Sequence, residues 1–216
     1  MADLKTILFD LDGVVIDSEP IHAKAKKIVL EQFNITYPPT VFDDYKGKTD
    51  KVFWDYVSGN LDSRQHSAEL LQDSKKLVFV EIIKELRIID DFFFFIDIVK
   101  RKGIQTALVS STSLYSLGLI DDLYHISELF DLVITEADTP LHKPYPHPYL
   151  KAMEILPADP PTCIVIEDSP NGIISAKRAG LFVYGMTSSF KRHQLIEAGA
   201  DVIIGSFKEL LEKLEL

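Results

Sequence analysis

The chain has 216 residues, 46% of them hydrophobic and 26% charged, enough for a full apolar core with a smaller second unit. Its 33 acidic and 23 basic residues give a formal net charge of −10, and no basic tract could neutralise several phosphates, which argues against a nucleic-acid binder. Cys163 is the single cysteine, so no disulfide can close within the chain, and its place in the apolar run CIVIE marks it as a small core residue.

In chain order, TILFDLDG (6–13) predicts a buried strand ending in Asp10 and Asp12, with Asp17 close behind. The opening residues MADLKTILFDLDG carry acids within a short apolar run and do not read as a secretory leader; a soluble cytoplasmic protein is expected. Residues 18–88 are helical and polar-rich in pattern: EPIHAKAKKIVLEQFN, DKVFWDYVSGNL, then SRQHSAELLQDSKKLVFVEIIKELRI. Trp54 and Tyr56 are expected in the interior of that bundle. IIDDFFFFIDIVKRKG (88–103) predicts an amphipathic helix with a basic last turn, closed by Gly103. Asp90, Asp91 and Asp97 interrupt it, and it falls well short of a membrane span. Its four consecutive phenylalanines exceed one helix face, so at least one ring must face a loop, another unit or a partner.

Five more apolar runs follow, each ending in a polar cluster: IQTALVSSTS (104–113), LFDLVITEAD (129–138), TCIVIEDSPNG (162–172), LFVYGMTSS (181–189) and ADVIIGS (200–206). Runs that are apolar throughout, rather than alternating, indicate a parallel sheet covered on both faces. With helical patterns between them they predict a doubly wound, Rossmann-like α/β core. That core is expected from residues 1–17 and 89–216, with 18–88 as a small helical insert.

In such sheets the working site lies beyond the carboxyl ends of the strands. Collecting the polar residues there gives Asp10 and Asp12, then Ser110, Ser111 and Thr112, then Lys143 in a loop, then Glu167 and Asp168. Any one of them alone would read as a loop cap or a surface acid. Together they pose an electrostatic problem, because clustered buried carboxylates repel one another and lose hydration. A hard divalent ion such as Mg²⁺ resolves it by turning them into ligands, and it commonly shares its shell with a substrate phosphate. The lysine offsets part of the remaining negative charge and keeps an attacking carboxylate ionised.

This constellation resembles the haloacid dehalogenase superfamily. The four motifs stand in family order as ILFDLDG, ALVSSTS, HKPYPHP and VIEDSPNGI, so that the resemblance covers nearly the whole chain. It implies that Asp10 is the nucleophile that becomes an aspartyl-phosphate, and that Asp12 is general acid and then general base. It further implies phosphate binding by Ser110, Lys143 and the backbone N–H groups of Leu11 and Ser111. Mg²⁺ would be held by Asp10, Asp12 (through its carbonyl), Asp168 and Glu167, the last directly or through a neighbour. Asp12 also argues against dehalogenation, since family members with that activity lack a proton donor there.

The insert resembles the helical cap of the β-phosphoglucomutase-like and phosphoglycolate phosphatase-like branch, with DSEP (17–20) at its hinge. In YKGKTD (45–50), Asp50 stands where phosphomutases commonly carry an arginine, and an acid there opposes a second phosphate. Lys48 remains a candidate phosphate contact. Two departures are His147, in place of the family's acid after the lysine, and IIDDFFFF in place of a Pro-Gly turn. The expected function is therefore a Mg²⁺-dependent phosphatase acting on a small phosphorylated metabolite such as a sugar phosphate. The alternatives are a sugar-phosphate mutase and a non-catalytic binding protein on the same fold. A monomer with no nucleic-acid or membrane partner is expected.

Overall fold

The computed structural model describes residues 4–45 and 49–216. By Cα proximity the chain divides into a unit of Met1–Asp17 with Arg87–Leu216 and a unit of Ser18–Leu86.

The first unit begins with β1 (Thr6–Phe9), whose four residues are all buried, and a short β2 (Ile16–Asp17). The helical unit then supplies α1 (Glu19–Gln32), α2 (Val41–Asp44), α3 (Asp50–Tyr56) and α4 (Ala68–Ile82). Ser67 caps α4 by accepting from the Leu70 N–H, and Thr49 caps α3 in the same way from Val52. Ile21, Ala25 and Val29 recur every four residues along the buried face of α1, and Leu71, Val78 and Phe79 line α4. Trp54 is fully buried, edge-on to Phe53 with ring centroids 4.8 Å apart, while Tyr56 is half-buried and stacked on Tyr45.

After the helical unit the chain returns through β3 (Arg87–Ile88), which pairs antiparallel with β2. No strand was expected there, because two residues carry no periodicity. The helix α5 (Phe92–Arg101) starts later than its sequence pattern suggests, since Asp91 adopts a left-handed φ of 63° that breaks the run. Phe92 and Phe95 are buried against Phe9, Phe130 and Phe207, whereas Phe93 and Phe94 stay exposed. Helical spacing divides the four rings between the two faces.

The remaining elements alternate: β4 (Gln105–Val109), α6 (Leu114–Tyr124), β5 (Leu132–Ile134), α7 (His147–Ile155), β6 (Cys163–Glu167), α8 (Pro170–Arg178), β7 (Phe182–Met186), α9 (Arg192–Glu197), β8 (Val202–Ile204) and α10 (Phe207–Leu214). The sheet order is β5-β4-β1-β6-β7-β8, with every pair parallel. Gly103 (φ 70°) and Gly180 (φ 81°) end α5 and α8 in the left-handed conformation that glycine adopts without strain. The core lies between the sheet and its helices, with Leu8, Val109, Ile134, Tyr149, Val165, Ile173 and Val183 packed together.

The topology reverses at β1. The chain first builds outward through β4 and β5, then crosses back to lay down β6, β7 and β8 on the other side of β1. Diverging connections leave a crevice at the carboxyl edge of such a reversal. The register brings Phe9 level with Leu108 and Ile166, so Asp10, Val109 and Glu167 emerge from that edge together.

Candidate active site

Asp10, the residue after β1, is held in register by its N–H to the Ile166 carbonyl at 3.0 Å. Its buried carboxylate meets Lys143, whose Nζ is 2.7 Å from Asp10 Oδ1. The same ammonium donates to Glu167 Oε1 at 2.6 Å and to the Val109 carbonyl at 2.8 Å, which uses all three of its N–H bonds. Donor oxygens of Asp10, Glu167 and Asp168 all lie within 4.8 Å of one another. Three segments far apart in sequence thus converge on one point.

The backbone makes this approach possible. Gly13 has a φ of 75°, and a Cβ built on it would lie 1.7 Å from Asp168 Oδ2. Only glycine can both turn the chain there and leave space for that carboxylate. Ser188 donates to the Gly13 carbonyl, and its hydroxyl is 3.5 Å from Asp168 Oδ2.

Burial dominates the electrostatics. It pushes the Asp10 carboxyl up to about 7, reinforced by the charge of Glu167 and opposed by Lys143. Asp168 is raised well above the usual carboxylate range by burial, then by Asp10 and Glu167. Burial alone would lower the Lys143 pKa, but Asp10 and Glu167 more than offset it and hold the amine protonated. One lysine among three carboxylates leaves a surplus of negative charge. Hard oxygen donors that close together, in a cradle kept open by Gly13, fit a hard divalent cation.

The other residues expected at the site fall into two groups. Asp12 is half-buried and its Oδ2 accepts from the Thr112 hydroxyl at 2.8 Å. Ser110 is buried at the end of β4, where its Oγ accepts from the Thr112 N–H at 3.0 Å. Leu11 is buried and Ser111 exposed on either side of these groups. Lys48 lies outside the described residues. His147 opens α7 and is half-buried. Asp50, in the helical unit, is 2.8 Å from Lys75 and 3.2 Å from Lys26. Two lysines, from elements distant in sequence, answer its charge.

Sequence reasoning missed Tyr149, Ser169 and Ser188. Tyr149 is fully buried and its hydroxyl donates to Glu167 Oε1 at 2.7 Å. Ser169 caps α8 and donates to Glu167 Oε2 at 3.1 Å. Ser188 was within reach, because the TSS that ends the β7 run obeys the same strand-end rule. Tyr149 gave no signal, since an aromatic on a helix face reads as packing.

Residues 7–186 match the family described as haloacid dehalogenase-like hydrolase. A phosphorylated carbohydrates phosphatase of Thermotoga maritima is 30% identical over 210 residues, spanning 93% of this chain and 94% of the relative. A phosphoglycolate phosphatase of Neisseria meningitidis is 28% identical over 228 aligned positions, spanning 98% and 94%. Among solved structures, one from Thermotoga maritima named for beta-phosphoglucomutase superposes with a TM-score of 0.82 at 27% identity, covering 98% of each chain.

Proposed function

This chain belongs to the haloacid dehalogenase-like hydrolases, and we propose that within them it is a Mg²⁺-dependent phosphatase of a small phosphorylated metabolite, such as a sugar phosphate, acting through an aspartyl-phosphate on Asp10. Its branch is that of the phosphoglycolate phosphatase-like and β-phosphoglucomutase-like proteins. The observation that carries the reading is the meeting of Asp10, Glu167 and Asp168 within 4.8 Å, with Lys143 at 2.7 Å from Asp10.

Asp10 attacks phosphorus in line with the leaving alkoxide, forming the new O–P bond as the ester bond breaks. Lys143 opposes the burial that would protonate Asp10. Because its three donors are engaged inside the site, it acts on the phosphoryl group by charge rather than by a hydrogen bond. Ser110 accepts from the Thr112 N–H, which leaves its own proton for a phosphoryl oxygen. The backbone N–H groups of Leu11 and Ser111 complete that role. Asp12, oriented by Thr112, protonates the departing alkoxide and then takes a proton from the water that hydrolyses the acyl phosphate. Asp10 and Asp168 would hold Mg²⁺ with the Asp12 carbonyl, and the bound ion supplies neutralisation of the phosphoryl charge. The helical unit, residues 18–86, would serve as the cap that confers specificity.

The reading is tested by phosphate release from a generic aryl phosphate and from a panel of phosphorylated metabolites with Mg²⁺ present. Wild type should turn over and Asp10→Asn should lose at least ~10⁴-fold; wild-type turnover by that variant would remove Asp10 as nucleophile. The likeness to a structure named for a mutase keeps a second reading in play. Incubation of glucose 1-phosphate with a bisphosphate primer separates the two: free phosphate supports the phosphatase, and isomerised sugar phosphate without free phosphate supports the mutase.

A further inference from the structure

Helix α5 leaves two of its four phenylalanines in solvent: Phe93 is 48% exposed and Phe94 61%, while Phe92 and Phe95 are buried. Asp97, Lys100 and Arg101 are exposed along the same helix, as are Asp90 and Asp91 before it and Lys102 at its end. These charges are sorted by sign. Two acids precede the first turn, and three bases occupy the last turn and the cap. Arg101 answers Asp97 within the helix at 2.7 Å. Asp90, Asp91 and Lys102 have no ion-pair partner among the described residues. The helix macrodipole accounts for acids at the amino end and bases at the carboxyl end. It does not account for two adjacent aromatic rings left in water between them, each of which forgoes the gain from burial.

The sorting restricts what can cover those rings. A partner surface of one sign would be attracted at one end of α5 and repelled at the other. A second α5 laid antiparallel matches both ends at once. A two-fold axis near the middle of the helix brings Asp90 and Asp91 of each copy to Lys100, Arg101 and Lys102 of the other. The same axis leaves each Phe94 within about two residues, ~3 Å of helical rise, of the symmetry point, so the outer rings of the two copies meet there. Four half-exposed rings amount to roughly 400 Å² of apolar surface, which belongs with weak, concentration-dependent contacts rather than obligate dimers. The net charge of −10 on each copy opposes approach at long range and weakens the contact further.

We propose that the outer face of α5 is the contact surface of a weak homodimer, in which Phe93 and Phe94 of two copies pack together and the charged helix ends pair acid to base. This departs from the monomer that the sequence led us to expect. It is independent of the phosphatase reading, because α5 carries none of the site residues.

The test is sedimentation velocity on the full-length protein, from micromolar to millimolar concentration at physiological salt. Wild type should pass from monomer to dimer within that range. Phe94→Ser should weaken association at least ~30-fold, with circular dichroism and thermal midpoint unchanged, since the ring lies largely outside the core. Asp90→Lys and Lys102→Glu should each weaken it roughly tenfold, because each sets like charges against one another at both ends of the contact. Neither substitution breaks an ion pair within one copy among the described residues. An equimolar mixture of those two variants should associate within about threefold of wild type, because the reversed charges then face each other. A wild type that stays monomeric throughout overturns the dimer, whatever else covers the rings. Dimerisation that survives Phe94→Ser overturns α5 as its face. A mixture that associates no better than either variant alone overturns the antiparallel arrangement.

Discussion

The core unit buries three carboxylates around one lysine, whereas the helical unit gathers one carboxylate between two lysines. In the first, Asp10, Glu167 and Asp168 share Lys143, and burial with mutual repulsion drives Asp10 and Asp168 upward. In the second, burial would also raise Asp50, but Lys75 and Lys26 outweigh it and bring its pKa down to about 2. Lys75 further donates to His22 Nδ1 at 2.9 Å, and the His22 ring stacks on Phe79. Buried charge is therefore not by itself the mark of a reactive centre. A cluster with its counter-charges in place ties α1, α3 and α4 together; a cluster with an acidic surplus is one that could hold a metal ion.

The contrast predicts different responses to removing one partner. The largest effect is expected from Lys143→Met. It leaves buried carboxylates without the lysine that pairs with them, at a cost of about 3–5 kcal/mol by urea denaturation and a loss of roughly 10³-fold or more in kcat. Added Mg²⁺ should restore part of the stability and little of the rate. Full stability in chelator would show that Lys143 is not the site's internal counter-charge.

Asp50→Asn should cost about 2 kcal/mol and act through stability alone in the helical unit. The sign follows from the depressed pKa: the ionised carboxylate stabilises the fold above its unfolded value near ~4, and that contribution is lost as pH falls through the folded value of about 2. Wild type should lose stability across that window, and the asparagine variant should lose less. Parallel pH profiles for the two proteins would mean the lysines do not hold Asp50.

The smallest effect is expected at Thr112. Thr112→Val removes one hydrogen bond to Asp12 and should lower kcat about tenfold, ~1.4 kcal/mol, with little change in thermal midpoint. If kcat is unchanged, Asp12 is oriented by other contacts.

The strand ends were legible because a buried parallel strand is apolar until it stops, and Asp10, Ser110 and Glu167 are the first polar groups after β1 and β4 and at the end of β6. Lys143 was legible only by its motif, since the loop that carries it has no period to read. Asp50 shows the opposite case. Its own segment suggests a repelling acid, and its true partners come from α1 and α4, at Lys26 and Lys75. The phenylalanine run lies between the two: the sequence showed that four consecutive rings exceed one helix face, while the packing of the folded core buries Phe92 and Phe95 and leaves Phe93 and Phe94 exposed.

By itself the amino-acid order determined the parallel α/β architecture and named the residues that gather at its edge, because apolar run length and strand-end polarity are local properties. Only the tertiary structure decided how each acid is occupied. Glu167 is surrounded by Lys143, Tyr149, Ser169 and the gap at Gly172, whereas the Asp10 carboxylate accepts from Lys143 alone among the described residues. Lys143 lies 133 positions from Asp10 and 24 from Glu167, and hydrogen-bond saturation depends on the arrangement of such groups in space, which no local pattern encodes.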